Sequence, residues 1–208
     1  MADILQMRNE LVVGPLTPQG DGTTQVGMRS GKTGGALVVQ AHGALYEAAS
    51  RGRIRSACNQ TSITFGTALT ATAVTFTLGN PTGSGYVLSV LSCGLTVITS
   101  TTAGSIVYAS SAIHTAVGTA LGITNNYIGG GSSGVGLASA ACTLPAAPVA
   151  FRTLAHGPVT ATASTGSLRD YVNGGIVIYP GNAVTIQGIT IAGTGIIDMQ
   201  WEELALAV

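Results

Sequence analysis

Residues 175–191 read GIVIYPGNAVTIQGITI, and this stretch decides the fold class. Two runs rich in Ile, Val and Thr flank Pro180-Gly181, and such residues favour the pleated, half-buried surface of a strand. Proline presets φ at the second position of a type II turn, and glycine accepts the positive φ of the third. The stretch therefore predicts two strands, Gly175–Tyr179 and Ala183–Ile191, joined as a hairpin, with Gly195–Glu203 completing a three-stranded meander.

Strand-like segments continue upstream of this stretch. They are rich in Val, Ile and Thr, and turns containing glycine or proline separate them. Several short strands at such spacing are typical of a β-sandwich or a barrel. The sequence therefore predicts an all-β domain over residues 53–208. Its other predicted strands are Arg53–Cys58, Ala71–Leu78, Tyr86–Ile98, Ser105–Ser110 and Val149–Leu154, with a long surface loop at Tyr127–Ala141.

The first part of the chain has a different character. Ten of the sixteen charged residues fall within residues 1–55, where prolines and glycines interrupt the periodic runs. A segment without helical or strand period has little to pack with on its own. The sequence therefore predicts an extended N-terminal arm and entry region over residues 1–52, ahead of the β domain.

Charge is scarce in the 208-residue chain. Asp, Glu, Lys and Arg make up 8% of it, against roughly 25% in a typical soluble domain, and none occurs from Ser56 to Phe151. The net charge of zero is unlike a nucleic-acid-binding surface, and the longest apolar run, Tyr86–Ile98, is too short and too polar to span a membrane. The sequence therefore predicts neither a nucleic-acid nor a membrane partner, and a domain that hides surface against copies of itself.

The N-terminus and the cysteines bear on the compartment. No basic and then apolar segment follows Met1, as a secretory signal would require. Cys58, Cys93 and Cys142 are odd in number and widely spaced, unlike a disulfide framework or a metal site. We expect a protein made in a reducing cytoplasm, with three buried, reduced thiols.

Several strings resemble chemical motifs without their context. Gly27–Thr33 has one residue too few between its glycines for a phosphate-binding loop. The run Gly129–Gly134 matches a dinucleotide fingerprint and a nucleophile elbow, but no strand–helix–strand pattern surrounds it and no His follows His156. His42 and His114 are equally isolated. The sequence predicts no catalytic, cofactor-binding or metal site, and therefore no enzyme.

One local cluster of basic residues stands out. On a strand, Arg51, Arg53 and Arg55 would share one face. Together with Arg29 and Lys32 of the arm, they are the candidate contacts to acidic residues of a partner or a neighbouring subunit. The alternative is a solvated strand face whose charges keep a sheet edge from aggregating.

Two segments carry a resemblance to a known group of proteins. Residues 34–54 read GGALVVQAHGALYEAASRGRI and precede Ser56-Ala57-Cys58, while NGGIVIYPGNAVTI at 173–186 precedes GIIDMQWEEL at 195–204. These segments resemble small virion structural proteins of tailed bacteriophages. The resemblance implies a head decoration, or cement, protein: a homotrimer with a jelly-roll-like β-sandwich and no active site.

The expected function is therefore that of a decoration protein on the outer surface of a phage head, made in the host cytoplasm. The arm would clamp the major capsid protein, and the β domain would form the trimer. Binding only the assembled shell would stabilise it by mass action.

Two alternatives remain open. A depolymerase would need paired carboxylates at about 5–10 Å, and Glu202 and Glu203 would point to opposite faces of a strand; Asp170 and Asp198 are the other candidates. A tail or fibre component would bind a host surface glycan by stacking sugars on exposed aromatic rings. The aromatic candidates are Tyr86, Tyr108, Tyr127, Tyr171, Tyr179 and Trp201.

Overall fold

A computed structural model describes residues 11–13, 26–28, 45–100, 102–129, 134–157 and 166–206. The chain divides into two units, Met1–Glu47 and Ala48–Val208. In the first unit, strands β1 (Leu11–Val13) and β2 (Val26–Met28) pair in antiparallel fashion. The rest of the predicted arm lies outside the described residues up to the short helix α1 (Tyr46–Ser50). Ala48 of this helix packs against Ile54 and Leu91.

The described strands of the second unit form two antiparallel sheets that pack face to face. Sheet I runs in the order β12 (Gly166–Ile178), β6 (Tyr86–Ser100), β14 (Gly193–Ala205), β3 (Ile54–Cys58), β9 (Ile123–Asn125), and β4 (Ile63–Phe65) also pairs with β14. Sheet II runs in the order β11 (Val149–Gly157), β7 (Gly104–Ala112), β13 (Asn182–Ile189), β5 (Phe76–Gly79), β10 (Leu137–Ala140), β8 (Thr119–Ala120).

The strand order is that of a jelly roll. If β4, β8, β9 and β10 are treated as insertions, eight of the described strands of this unit remain, and they can be counted in chain order. Read from β3, sheet I then contains, side by side, the first, eighth, third and sixth of these strands. The second, seventh, fourth and fifth lie in sheet II. Two interlocked Greek keys produce this order. The predicted fold class, an all-β, jelly-roll-like sandwich, is confirmed.

The core lies between the two sheets. Sheet I contributes Val90, Ile197 and Trp201, and sheet II contributes Phe76 and Ile186, all with 2% or less of their surface exposed. In β14 buried residues alternate with partly exposed ones, as the strand period requires, whereas β5 and most of β13 are buried on both faces. The prediction of buried thiols is correct for Cys93 and Cys142 but wrong for Cys58, which is exposed at the end of β3.

The predicted hairpin at Pro180-Gly181 is wrong, although the turn is correct. Gly181 has a φ of 84°, and the Asn182 amide donates to the Tyr179 carbonyl at 3.1 Å. However, β12 belongs to sheet I and β13 to sheet II, so the turn carries the chain across the sandwich. β14 then returns to sheet I between β6 and β3, and the predicted meander does not form. Turn chemistry sets a local reversal, but it does not choose the neighbouring strand.

Asn80 explains how the chain crosses at this corner. Its side chain is fully buried, and its amide nitrogen donates to the carbonyls of Tyr86 and Ile178 at 2.8 and 2.9 Å. Its backbone N–H donates to the Asn182 carbonyl, and its own carbonyl accepts from Gly181. One asparagine therefore joins the β5–β6 connection to the β12–β13 connection.

The predicted surface loop Tyr127–Ala141 is also partly wrong. Leu137–Ala140 forms β10, which pairs with β5 on one side and β8 on the other. The predicted strand Ala71–Leu78 is shorter than expected, because regular pairing begins only at Phe76 and Val74 makes an isolated bridge to Cys142. Short strands of small residues have no alternation by which sequence could find them.

Candidate assembly surface

Strands β11 and β12 form one open side of the sandwich. In the described part of the chain, β11 is the outer strand of sheet II and β12 the outer strand of sheet I. Six large apolar side chains of these strands and the turn after β12 are exposed there, and we call them the apolar edge. They are Val149, Phe151, Leu168, Tyr171, Val177 and Tyr179.

The pairing of β11 and β12 with their neighbours is irregular. The register between β11 and β7 shifts once at Phe151, between Ala150 and Arg152, and again between Thr153 and Ala155. In β12 the register shifts between Tyr171 and Ile176, where Asn173 has a φ of 49°. Bulges bend a strand and interrupt the regular row of backbone groups at its edge. The apolar edge therefore presents side chains rather than an open strand.

Part of the apolar edge lines a depression at the corner of the sandwich. Phe151, Val177 and Tyr179 surround an open depression of about 390 Å³, together with Ser110 and Asn182. The depression lies where the two sheets separate, next to the turn at Pro180-Gly181. A partner's side chain could enter here and contact both sheets.

An ion pair fastens the two strands of this side to each other. Arg152 of β11 donates to the Asp170 carboxylate of β12 at 3.0 Å, and the Tyr108 hydroxyl donates to the same carboxylate at 3.1 Å. The Arg152 guanidinium also lies 5.9 Å from the centre of the Tyr108 ring. Burial is the main cause that raises the pKa of Tyr108, and it raises the pKa of the adjacent Cys93 thiol to about 12. Tyr108 therefore donates and remains neutral.

A second ion pair crosses the outer face of sheet I. Arg169 of β12 and Asp198 of β14 both lie opposite Gly94 of β6, and their side chains meet at 2.8 Å. A Cβ atom on Gly94 would overlap the Asp198 carboxylate. A side chain at Gly94 would therefore displace the ion pair, which lies over β6 between β12 and β14.

The predicted arginine cluster does not form one exposed face. Arg51 lies in the turn after α1 and is exposed, whereas Arg53 pairs with Glu202 at 3.1 Å. Arg55 is only 4% exposed, and its Nε atom lies 3.5 Å from the Glu203 carboxylate. The prediction of a shared exposed face is therefore wrong for Arg55, because its side chain on β3 points into the interior of the sandwich. Arg29 and Lys32 lie outside the described residues.

Glu203 closes one end of the sandwich. Besides Arg55, its carboxylate accepts from the backbone N–H groups of Val135 and Gly136 at 2.9 and 3.0 Å. The Trp201 indole N–H donates to it at 3.3 Å. A buried carboxylate with several donors is well compensated. Arg55 and Glu203 therefore hold the loop before β10 against the core.

All eight charged side chains of residues 53–208 take part in four ion pairs. The predicted acid–base candidates are among them, since each of the four carboxylates accepts from an arginine. The domain surface is thus locally neutral as well as sparsely charged, which sequence composition alone did not reveal. The pairs are Arg53–Glu202, Arg55–Glu203, Arg152–Asp170 and Arg169–Asp198.

The aromatic candidates divide into two groups. Tyr108 and Trp201 are fully buried and cannot stack on a sugar. Tyr86, Tyr127, Tyr171 and Tyr179 are exposed, and the sequence analysis missed the exposed ring of Phe151. The exposure of Phe151 could have been inferred from the run Val149–Thr153, which lacks the apolar–polar alternation of a half-buried strand.

Among the described residues, no group of three or more His, Cys, Asp or Glu side chains is placed to hold a metal ion. No helix in that same part of the chain has the length and apolarity needed to cross a membrane. No protein-family model, curated protein sequence or solved structure matches this chain.

Proposed function

We propose that the protein is a virion structural protein of the capsid decoration type. In this proposal it forms a homotrimer through the apolar edge and binds the major capsid protein on the outer surface of a phage head. The observation that carries the proposal is the apolar edge itself, an exposed hydrophobic surface whose neighbouring charges are already paired with each other.

The size of the apolar edge supports self-association. Aromatic side chains carry about 150–250 Å² of surface each. Phe151, Tyr171 and Tyr179 are each more than half exposed, so these three rings alone expose roughly 350 Å². A standard interface buries roughly 800 Å² on each partner, and the largest apolar patch of a monomer is often functional. The apolar edge can therefore supply the centre of an interface between copies.

The ion pairs support the same proposal. Burying an unpaired charge costs several kcal/mol, whereas Arg152 and Asp170 keep their partner inside the same chain. A neighbouring copy that covers this side need not supply a counter-ion. The jelly roll by itself is compatible with many functions, so the proposal depends on this surface and on the resemblance of the flanking segments.

Attachment to the head is assigned to the N-terminal segment. Its basic residues Arg29 and Lys32, with Arg51 and the partly exposed Arg53, are the proposed contacts to the capsid. Arg55 is buried and is therefore not among the proposed contacts. Three arms on one trimer would bind with avidity, so that weak contacts of each arm add up to stable attachment.

The proposal is tested by separating association from attachment. In Phe151→Glu, a carboxylate at the centre of the apolar edge should convert the trimer to monomers in sedimentation equilibrium. The variant carrying Arg29→Glu and Lys32→Glu should remain trimeric but lose binding to capsid particles in co-sedimentation. Thr72→Glu is the matched control, because Thr72 is exposed and lies in the segment before β5, outside the apolar edge. A Phe151→Glu variant that associates like the control contradicts the proposal.

One observation favours a second candidate, a tail or fibre component that binds a host glycan. Phe151 and Tyr179 stand beside the hydroxyl of Ser110 and the amide of Asn182 in the depression of the apolar edge. Aromatic rings next to such polar groups suit a sugar ring. Glycan-array binding that Tyr179→Ala abolishes without changing the oligomeric state would favour this candidate.

A further inference from the structure

A second apolar surface lies on the side of the sandwich opposite the apolar edge. The segment between β7 and β11 contains β8, β9 and β10, and it exposes four large apolar side chains that we call the insertion face. In sheet II, β11 and β8 are at opposite ends, and in sheet I the same is true of β12 and β9. The residues of the insertion face are Val117, Tyr127, Ile128 and Leu137.

The insertion face is hydrophobic and uncharged. Ile128 is 80% exposed, the largest value among the large apolar side chains of the described residues. Residues 113–148 contain no Lys, Arg, Asp or Glu. Contact between the insertion face and the apolar edge would therefore desolvate no unpaired ion on either side.

Two different apolar surfaces restrict the symmetry of an assembly. A two-fold dimer joins a surface to the same surface of its partner, so burying the apolar edge would leave the insertion face exposed. A heterologous contact joins one surface of each copy to the other surface of the next. It gives a closed ring that covers both surfaces of every copy if the rotation between copies closes, and an open filament if it does not.

We infer that the apolar edge of one copy packs against the insertion face of the next copy in a closed ring. This inference rests on the self-association proposed above and specifies which surfaces meet. Side chains rather than paired backbones make the contact, because bulges interrupt β11 and β12 while β8 and β9 are only two and three residues long.

Two complementary variants test the inference. Phe151→Glu blocks the apolar edge and leaves the insertion face intact, whereas Ile128→Glu does the reverse. Each variant alone should be monomeric in native mass spectrometry. An equimolar mixture should form a dimer containing one copy of each, because one intact edge and one intact insertion face remain. Both side chains are exposed, and matched thermal melting curves would confirm that the variants fold.

The outcomes separate the inference from the proposed function. The mixture is measured at roughly tenfold higher concentration, since one contact without ring closure is weaker by mass action. An Ile128→Glu variant that keeps the wild-type oligomer, or a mixture that stays monomeric, overturns the paired surfaces while self-association stands. A wild-type chain that is monomeric throughout overturns both. Tyr179→Asp and Tyr127→Asp serve as a second pair, and Thr72→Glu should stay a trimer.

Discussion

At the scale of single residues, neighbouring glutamates have unequal roles. Glu202 and Glu203 follow each other on β14, so their side chains point to opposite faces of sheet I. Glu202 pairs with the partly exposed Arg53, whereas Glu203 is buried with Arg55 and the loop before β10. The sequence predicted the opposite faces, but it did not predict that one face would be sealed by a glycine-containing loop.

The unequal burial predicts unequal stability effects. Glu203→Ala removes the acceptor of two backbone N–H groups and of Arg55, and we expect a loss of about 3–5 kcal/mol in the free energy of unfolding. Glu202→Ala removes a partly solvated pair and should cost about 1 kcal/mol or less. Urea denaturation of both variants measures the difference. Equal losses would contradict the buried position of Glu203.

At the scale of elements, the turn at Pro180-Gly181 separates what the sequence could predict from what it could not. Residue types identified the two strands and the turn, because Ile, Val and Thr favour strands and Gly181 adopts the positive φ. They could not show that the strands belong to different sheets. That choice depends on contacts with distant residues, above all the bonds of Asn80 to both connections.

The candidate site was predictable to a similar degree. The Val-, Ile- and Thr-rich pattern located the strands Val149–Leu154 and Gly175–Tyr179, whereas the contact between copies stays a prediction. The bulge beside Phe151 was not predictable, because it arises from pairing with β7 across some 40 residues of sequence. The buried position of Arg55 was missed for the same reason, since the loop that covers it comes from a distant part of the chain.

The buried hydrogen bonds of Asn80 predict that its substitution lowers the free energy of unfolding strongly. Asn80→Ala leaves the buried Ile178 carbonyl without its side-chain donor, and an unsatisfied buried group costs about 1–3 kcal/mol. The partly buried Tyr86 carbonyl also loses a donor but still accepts from Ser84. Asn182→Ala is the matched control, because Asn182 is exposed and its side-chain bonds are 3.3 and 3.5 Å long. Thermal or urea unfolding should show a much larger loss for Asn80→Ala. A loss no greater than that of the control would contradict the role of Asn80 in joining the two connections.

The register of sheet I predicts the reactivity of Cys58. Cys58 lies opposite Asp198, and its thiol pKa is raised mainly by partial burial and further by the Asp198 carboxylate. Asp198→Asn removes the negative charge, so the pKa falls and more thiolate is present at pH 8. Alkylation of Cys58 by iodoacetamide at this pH should therefore be faster than in the wild type, because the thiolate is the nucleophile.

The matched control for this measurement is Asp170→Asn. Asp170 lies opposite Cys93 rather than Cys58, so its substitution should leave the alkylation rate of Cys58 unchanged. The buried thiols Cys93 and Cys142 should react only after unfolding. If both substitutions changed the Cys58 rate equally, the strand order of sheet I would be in error.

At the scale of the whole molecule, scarce charge and exposed hydrophobic surface belong together. The eight charged side chains of residues 53–208 form four internal pairs, and apolar side chains lie exposed on two opposite sides of the sandwich. A monomer with these surfaces would expose them to water, whereas an assembly buries them without desolvating an unpaired ion. Self-association is therefore the central claim, and the proposed attachment to a capsid, assigned to the N-terminal segment, is independent of it.

The mass of the full chain in solution tests the claim of self-association most directly. Sedimentation equilibrium should give about three times the chain mass of 20.7 kDa for the wild type and for Thr72→Glu, and one chain mass for Phe151→Glu. A wild-type protein that sediments as a single chain over the whole accessible concentration range would contradict the account.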